Sequence, residues 1–228
     1  MMHEEEEEEE EDKSKYNIEY LGEKFSKDLP SHKIIFIGHY GVGKTSIINK
    51  LMEKEFDKEY APTMSVDIKN VQIKVNDKRI QIQIWDCCGN NKFALETPNL
   101  FKKASIAIFI YDIHNKESYE EFEAWYNMLK KHSECNIIFL IGNKNDLKEK
   151  REVTLEEVKA FKNKYDDIKI CLEISALYFT DIVKVFENIA ISIYEKIEEN
   201  EENNAQKKII TSNKEEHTKK KKKSVVNI

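Results

Sequence analysis

The chain of 228 residues is poor in glycine, with six, and in cysteine, with four. Nor does it contain an apolar run approaching the ~20 residues of a membrane span. That absence argues against a transmembrane helix. The first residues are acidic, Glu4 to Glu11 followed by Asp12, where a secretory leader would be basic and then apolar. Cys87, Cys88, Cys135 and Cys171 show no CxxC spacing. Adjacent Cys87 and Cys88 point to opposite sides of an extended chain, which argues against a zinc site or a structural disulfide. A reduced, cytoplasmic protein is expected, and no internal repeat is visible.

What is abundant is charge. Charged residues make up 35% of the chain, against an ordinary share of about a quarter. Much of the excess sits at the ends: eight Glu and one Asp at 4–12, and eight Lys within 207–223, five of them consecutive at 219–223. Like-charge blocks repel themselves and stay solvated. The sequence therefore predicts an acidic, largely disordered extension at 1–31, one globular domain at 32–198 and a Lys-rich disordered tail at 199–228.

Within that domain, short apolar runs alternate with amphipathic ones. "KIIFIG" (33–38), "IAIFIYD" (106–112) and "IIFLIGN" (137–143) suit parallel strands buried on both faces. "VDIKNVQIKV" (66–75) and "RIQIQIWD" (79–86), joined by "NDK", read as a hairpin placing one antiparallel strand at a sheet edge. "IKICLEI" (168–174) adds a sixth strand. Helical patterns cover 44–54, about 92–103, 117–132, 155–165 and 180–198, the fourth opened by a Thr154/Glu157 capping box. The prediction is an α/β fold: an open, mostly parallel six-stranded sheet with about five helices. Ligands of such sheets sit at the carboxyl ends of the strands.

The glycines cluster there. Five of the six follow a predicted strand or close it (Gly38, Gly41, Gly43, Gly89 and Gly142). Three belong to "GHYGVGKT", Gly38 to Thr45, which fits G-x-x-x-x-G-K-[ST] between a strand and a helix. Gly41 and Gly43 allow N–H groups to curl around phosphates at a helix N-terminus. Lys44 reaches the β/γ-phosphates, and the Thr45 hydroxyl suits Mg²⁺. Asp86 and Gly89 form D-x-x-G, an acid for a Mg²⁺ water and an N–H for a γ-phosphate. "NKND", Asn143 to Asp146, is the discriminating motif. A carboxylate at Asp146 pairs with the two donors of guanine, which adenine cannot offer. Asn143 braces the loop, and the Lys144 stem lies along the base. In "EISAL" (173–177) the Ala176 N–H can meet guanine O6.

With these motifs together, residues 32–198 resemble a small GTPase of the Ras superfamily, most like the Rab branch. "YAPTMSVDI" (60–68), "WD" (85–86), "YDIHNKESYEEFEAW" (111–125) and "GNKNDL" (142–147) carry the branch likeness. The resemblance implies a GTP-binding domain that holds GTP or GDP with Mg²⁺ and recruits partners in vesicle trafficking. It implies nucleotide contacts from Gly41, Val42, Gly43, Lys44, Thr45, Ser46, Phe56, Thr63, Asp86, Gly89, Asn143, Lys144, Asp146, Ser175, Ala176 and Leu177. Thr45, Thr63 and Asp86 would serve the metal, and Lys44, Thr63 and position 90 the hydrolysis. Switch loops would cover about 56–67 and 86–101, and their partners would be effectors, exchange factors and activating proteins.

The chain departs from that family in several places. Tyr40 stands at a P-loop position that is usually small. Asn90 replaces the catalytic glutamine, and Asn91 the acid after it. No cysteine follows Cys171, so the C-terminal prenyl anchor of Rab proteins is not expected. Ile68 and Leu100 replace aromatics beside Trp85 and read as ordinary apolar packing. His39 and Cys88 read as neighbours of the phosphates, not catalysts. Two functions follow: a switch with slow GTP hydrolysis, or a scaffold held permanently with GTP. The lysine tail reads as solvated charge, as a nuclear-import signal or as a weak contact with an anionic membrane. No nucleic-acid partner is expected.

Overall fold

A computed structural model of the chain describes residues 15–52, 66–89, 98–147 and 150–225. β2 (Ser31–Ile37) shows how the core is built. Its apolar residues are continuous, so alternate side chains enter opposite layers. Ile34 and Phe36 join one buried cluster, and Ile35 and Ile37 the other. The first cluster lies under α1 (Lys44–Leu51) and α5 (Phe179–Val225). The second lies under α3 (Phe122–His132) and α4 (Leu155–Lys162). A sheet covered on both faces needs strands apolar on both faces, which is why these runs do not alternate.

The remaining strands are β1 (Ile18–Glu23), β3 (Asp67–Val75), β4 (Lys78–Asp86), β5 (Ala104–Asp112), β6 (Ile138–Asn143) and β7 (Ile168–Glu173). They form one seven-stranded sheet in the order β1-β3-β4-β2-β5-β6-β7. β4, β2, β5, β6 and β7 pair parallel, while β3 is antiparallel to both β4 and β1. The parallel strands therefore end together, at Ile37, Asp86, Asp112, Asn143 and Glu173. The hairpin turn is two residues, Asn76 and Asp77, and Asn76 takes the left-handed conformation such turns require (φ 54°). The Thr154/Glu157 capping box is present at the start of α4.

The sheet has one strand more than the sequence predicts, and β3 is not its edge. Residues 18–23 lie in the stretch expected to be disordered. "IEYLGE" lacks the alternation of a half-buried strand, but the open edge of β3 supplies backbone partners, Ile18 opposite Val75 and Glu23 opposite Val71. The strand is tied at both ends. Asn17 N donates to Asn76 Oδ1 (2.9 Å) and Asn76 N to Asn17 O (2.8 Å). The Ser26 amide donates to the buried Gln81 side chain at 2.6 Å, and Tyr16 donates to Glu195 of α5 at 2.8 Å.

Three helices also differ from expectation. α5 runs to Val225 without stopping near 198, through a stretch rich in Glu, Lys, Gln and Ala, all strong helix formers. The helix predicted at 117–132 is divided at Glu121 into α2 (Lys116–Glu120) and α3. Of the helix predicted at 92–103, the described part is a 3₁₀ turn at Pro98–Leu100 followed by turns, with Lys103 at φ 59°. Leu100 is buried as expected, whereas Ile68 is 43% exposed.

Removing residues 1–26 should unpair the β3 edge and lower unfolding stability by roughly 1–3 kcal/mol, the scale of a few net hydrogen bonds and their packing. Urea unfolding of the truncated and full chains checks this. An unchanged midpoint would show that β1 adds nothing.

Candidate functional site

Four of the five parallel strands, β2, β4, β6 and β7, lead at the carboxyl edge into a loop that carries a motif residue. The β2–α1 loop turns through Gly41 (φ 74°) and Gly43 (φ 101°), left-handed conformations that a side chain would strain. Gly43 is the N-cap of α1, with no side-chain cap and no acid in the first turn. The helix therefore supplies no acid of its own to neutralise its positive end. Val42 is buried in the loop, and Thr45 and Ser46 lie in the first turn beside Lys44.

Lys44 is 6% exposed and donates to the carbonyls of Gly38 (2.9 Å) and His39 (2.8 Å). Burial pushes its amine below the usual lysine range, opposed by the nearby Asp86 carboxylate. Asp86, the last residue of β4, is buried as well. Its Oδ2 accepts from the Thr45 hydroxyl at 2.6 Å, and its Oδ1 is buried with no hydrogen-bond partner among the described residues. Burial pushes the Asp86 carboxyl up, and the Thr45 hydrogen bond and Lys44 only partly offset this. An unpartnered carboxylate oxygen beside a hydroxyl oxygen is a hard-donor pair. It fits Mg²⁺, which takes one or two protein oxygens and completes its shell with water and phosphate.

Gly89 lies against the same loop. A Cβ there would meet Tyr40 N at 2.3 Å and His39 C at 2.6 Å. Only glycine lets the segment after β4 approach the β2–α1 loop so closely.

Asn143 joins three loops. Its Nδ2 donates to Val42 O at 2.7 Å, and its Oδ1 accepts from Ala176 N at 3.0 Å. The approach is tight enough that a Cβ on Gly43 would sit 2.3 Å from that Nδ2. Asp146, in the loop after β6, accepts through Oδ1 from the hydroxyl of Ser175 in the loop after β7 at 2.5 Å, while Leu177 N donates to Ser175 Oγ at 3.1 Å. Lys144 is left-handed (φ 71°), and its ammonium lies 2.7 Å from Asp112 Oδ2.

The structure thus brings together Gly41, Val42, Gly43, Lys44, Thr45, Ser46, Asp86, Gly89, Asn143, Lys144, Asp146, Ser175, Ala176 and Leu177. Phe56, Thr63, Asn90 and Asn91 lie outside the described residues, as do residues 56–65 of the first switch segment and 90–97 of the second. Asp112 was not anticipated. Its signal is an acid closing the apolar run "IAIFIY", the same pattern that singles out Asp86. Nor was the approach of His39 to Glu121 expected: its Nδ1 lies 3.0 Å from Glu121 Oε1, off the line of a hydrogen bond.

A parallel sheet with a glycine-rich loop after its central strand, and an antiparallel pair flanking it, defines a Ras-like GTPase fold. The family model described as "Ras family" matches residues 33–195, more than half of the chain, and the chain belongs to that family. It is therefore a small GTPase of the switch class. Its family binds guanine nucleotide, generally with Mg²⁺, and works through regulator and effector proteins. β1 and the distal part of α5 fall outside the matched span. Among the described residues no helix is long and apolar enough to cross a membrane.

The Asp86 environment yields a stability prediction. A carboxyl raised by burial contributes stability below the ordinary carboxylate range and loses it as pH rises through the folded value. Protein stripped of nucleotide and metal should therefore be strained at neutral pH. Asp86→Asn, which cannot ionise, should raise its stability at pH 7 by about 1 kcal/mol and flatten the acid-side dependence. Urea unfolding at pH 4.5 and 7 in chelator would show it, and a less stable variant at pH 7 would refute the assignment.

Proposed function

We propose that this GTPase is a Rab-like switch in vesicle trafficking that hydrolyses GTP slowly. The observation that carries the nucleotide site is the convergence on Asn143, with Val42 of the first loop on one side of its amide and Ala176 of the last on the other. On this proposal Lys44 contacts the β/γ-phosphates, and the loop N–H groups from Gly41 to Ser46 surround them. Thr45, Thr63 and Asp86 hold Mg²⁺, which would neutralise phosphate charge. Asp146, oriented by Ser175, reads the guanine donors. The Ala176 N–H faces O6, and the Lys144 stem, Leu177 and Phe56 pack along the base.

The Rab assignment rests on the segments 60–68 and 111–125 and on Trp85–Asp86. Slow hydrolysis rests on two side chains. Asn90 retains an amide but is one methylene shorter than the family's glutamine, and water positioning fails on displacements of ~1 Å. Tyr40 is 64% exposed on the phosphate-binding loop, in the space an activating arginine would need. The same pair supports the second function, a scaffold that keeps GTP without turnover. Identifying the nucleotide that copurifies with the protein separates the two: GDP favours the switch, GTP the scaffold. Any membrane contact would come from the lysines at 207–223, and sedimentation with anionic against neutral vesicles tests it.

Base selection is tested by Asp146→Asn, which should weaken GTP and improve xanthosine triphosphate, whose C2 carbonyl matches the new amide. The loss of a buried charged pairing should reach about tenfold or more in affinity. Unchanged GTP affinity in a titration would overturn the role given to Asp146.

Hydrolysis is tested in single turnover with the natural chain, Asn90→Gln, and Asn90→Gln with Tyr40→Gly. Restoring the glutamine should raise the rate by on the order of 10²–10³, the usual value of one transition-state polar contact. A natural chain already as fast as the double variant would refute slow hydrolysis.

A further inference from the structure

β5 closes on Asp112 and passes into a turn at 113–115 that carries none of the nucleotide motifs. This turn nevertheless takes hold of Lys144, the lysine of "NKND", at two points. Asp112 Oδ2 lies 2.7 Å from the Lys144 ammonium, and His114 Nε2 lies 3.3 Å from the Lys144 carbonyl oxygen. Beside them the Ile113 amide donates to Asn143 O at 3.3 Å. Lys144 is left-handed at φ 71°, a conformation that a residue other than glycine keeps when its surroundings impose it.

Asp112 is itself fixed. Its main chain is paired with β6 opposite Asn143, and its amide donates to the hydroxyl oxygen of Ser118 at 3.0 Å. Ser118 is fully buried in α2. The second carboxylate oxygen, Oδ1, accepts from His114 N at 2.9 Å, so the side chain is held at one oxygen while the other faces Lys144. An ion pair of which one member is a third exposed adds little to folding stability. What it fixes is direction. A free lysine stem samples many rotamers, and a ligand that packs along it must first order it; a stem ordered in advance spares the ligand that entropy loss.

We propose that Asp112 is a positioning residue of the guanine site: its carboxylate holds the Lys144 side chain in place before nucleotide arrives, so that the base packs on an ordered stem. The proposal rests on the reading that the Lys144 stem lies along the base. Asp112 does not touch the nucleotide in this role. It acts through the direct contact of its Oδ2 with the Lys144 ammonium. Asp112→Asn separates the two duties of the side chain. The amide oxygen can still accept from His114 N, whereas the charge facing Lys144 is gone and an N–H donor opposes the ammonium.

Affinity for a fluorescent GDP analogue, taken from its association and release rates on the full chain, tests it. Asp112→Asn should weaken binding about three- to tenfold, the scale of ordering one rotamer-rich side chain. Asp112→Glu, which keeps the carboxylate, should recover part of that loss. Lys144→Met keeps an apolar stem without the ammonium and should weaken binding to a similar extent. Adding Asp112→Asn to Lys144→Met should then change affinity no further, because the charge through which Asp112 acts is absent. An equal further loss in the double variant is what a merely structural role predicts, and it would overturn the pair. Unchanged affinity in Asp112→Asn, with Lys144→Met weakened, would overturn the pair and leave the reading of Lys144 standing. Unchanged affinity in Lys144→Met would overturn that reading and the proposal with it. A second measurement needs no change at Asp112. In stripped natural protein the Lys144 ammonium, assigned by its loss in Lys144→Met, should be more rigid by nitrogen NMR relaxation than that of the exposed Lys131. An ammonium as mobile as that of Lys131 would overturn the proposal even if every variant bound nucleotide normally.

Discussion

The side-chain amide of Asn143 is the contact on which the arrangement of this domain's loops depends. It donates to the Val42 carbonyl and accepts from the Ala176 amide. Each of these backbone groups belongs to a loop leaving a different strand, and both are buried, so neither can turn to water instead. Loops usually wander because their backbone groups have solvent as an alternative. Here that alternative is withdrawn, and the first and last loops are held against each other by a residue fixed at the end of β6. Gly43 follows as a consequence. Any side chain on it would occupy the space of the Asn143 amide.

Around this brace the site carries two buried charges that the fold alone does not fully satisfy. Among the described residues, Lys44 donates to main-chain carbonyls, and Asp86 has one oxygen bonded to Thr45 and the other without a hydrogen-bond partner. Each is pushed toward its neutral form by burial. A structure selected for stability alone would replace both with apolar residues. Their retention is the pattern of a site that trades stability for ligand chemistry, and it lies where α1 opens with no acid in its first turn.

The fold also extends beyond the family's core. β1 closes the edge that β3 would otherwise present, and Tyr16 and Lys78 tie that end of the sheet to α5 through Glu195, Glu198 and Glu201. An edge strand with open hydrogen bonds invites pairing with another chain, and here the molecule fills it from its own N-terminal segment. Contacts with Glu195, Glu198 and Glu201 show α5 still engaged with the domain beyond 193, the last residue of its buried apolar stripe.

The sequence by itself determined the class of fold and most of the motif positions. Two-sided apolar runs rich in β-branched residues suit strands covered on both faces, and a glycine pair between such a strand and a helix answers a local demand for left-handed backbone. These are short-range constraints, so they are legible without knowing the neighbours. The capping box at Thr154 and the turn at Asn76 belong to the same kind. What the tertiary structure alone decided are the partners. Val42 and Asn143 are 101 residues apart. Nothing in "IEYLGE" announces a strand until β3 lies beside it, and nothing in "GHYG" announces that His39 faces Glu121. A strand of weak pattern forms when an unpaired edge offers it hydrogen bonds, and a polar side chain acquires its role from whichever distant atom the packing of the sheet brings within 3 Å or so of it.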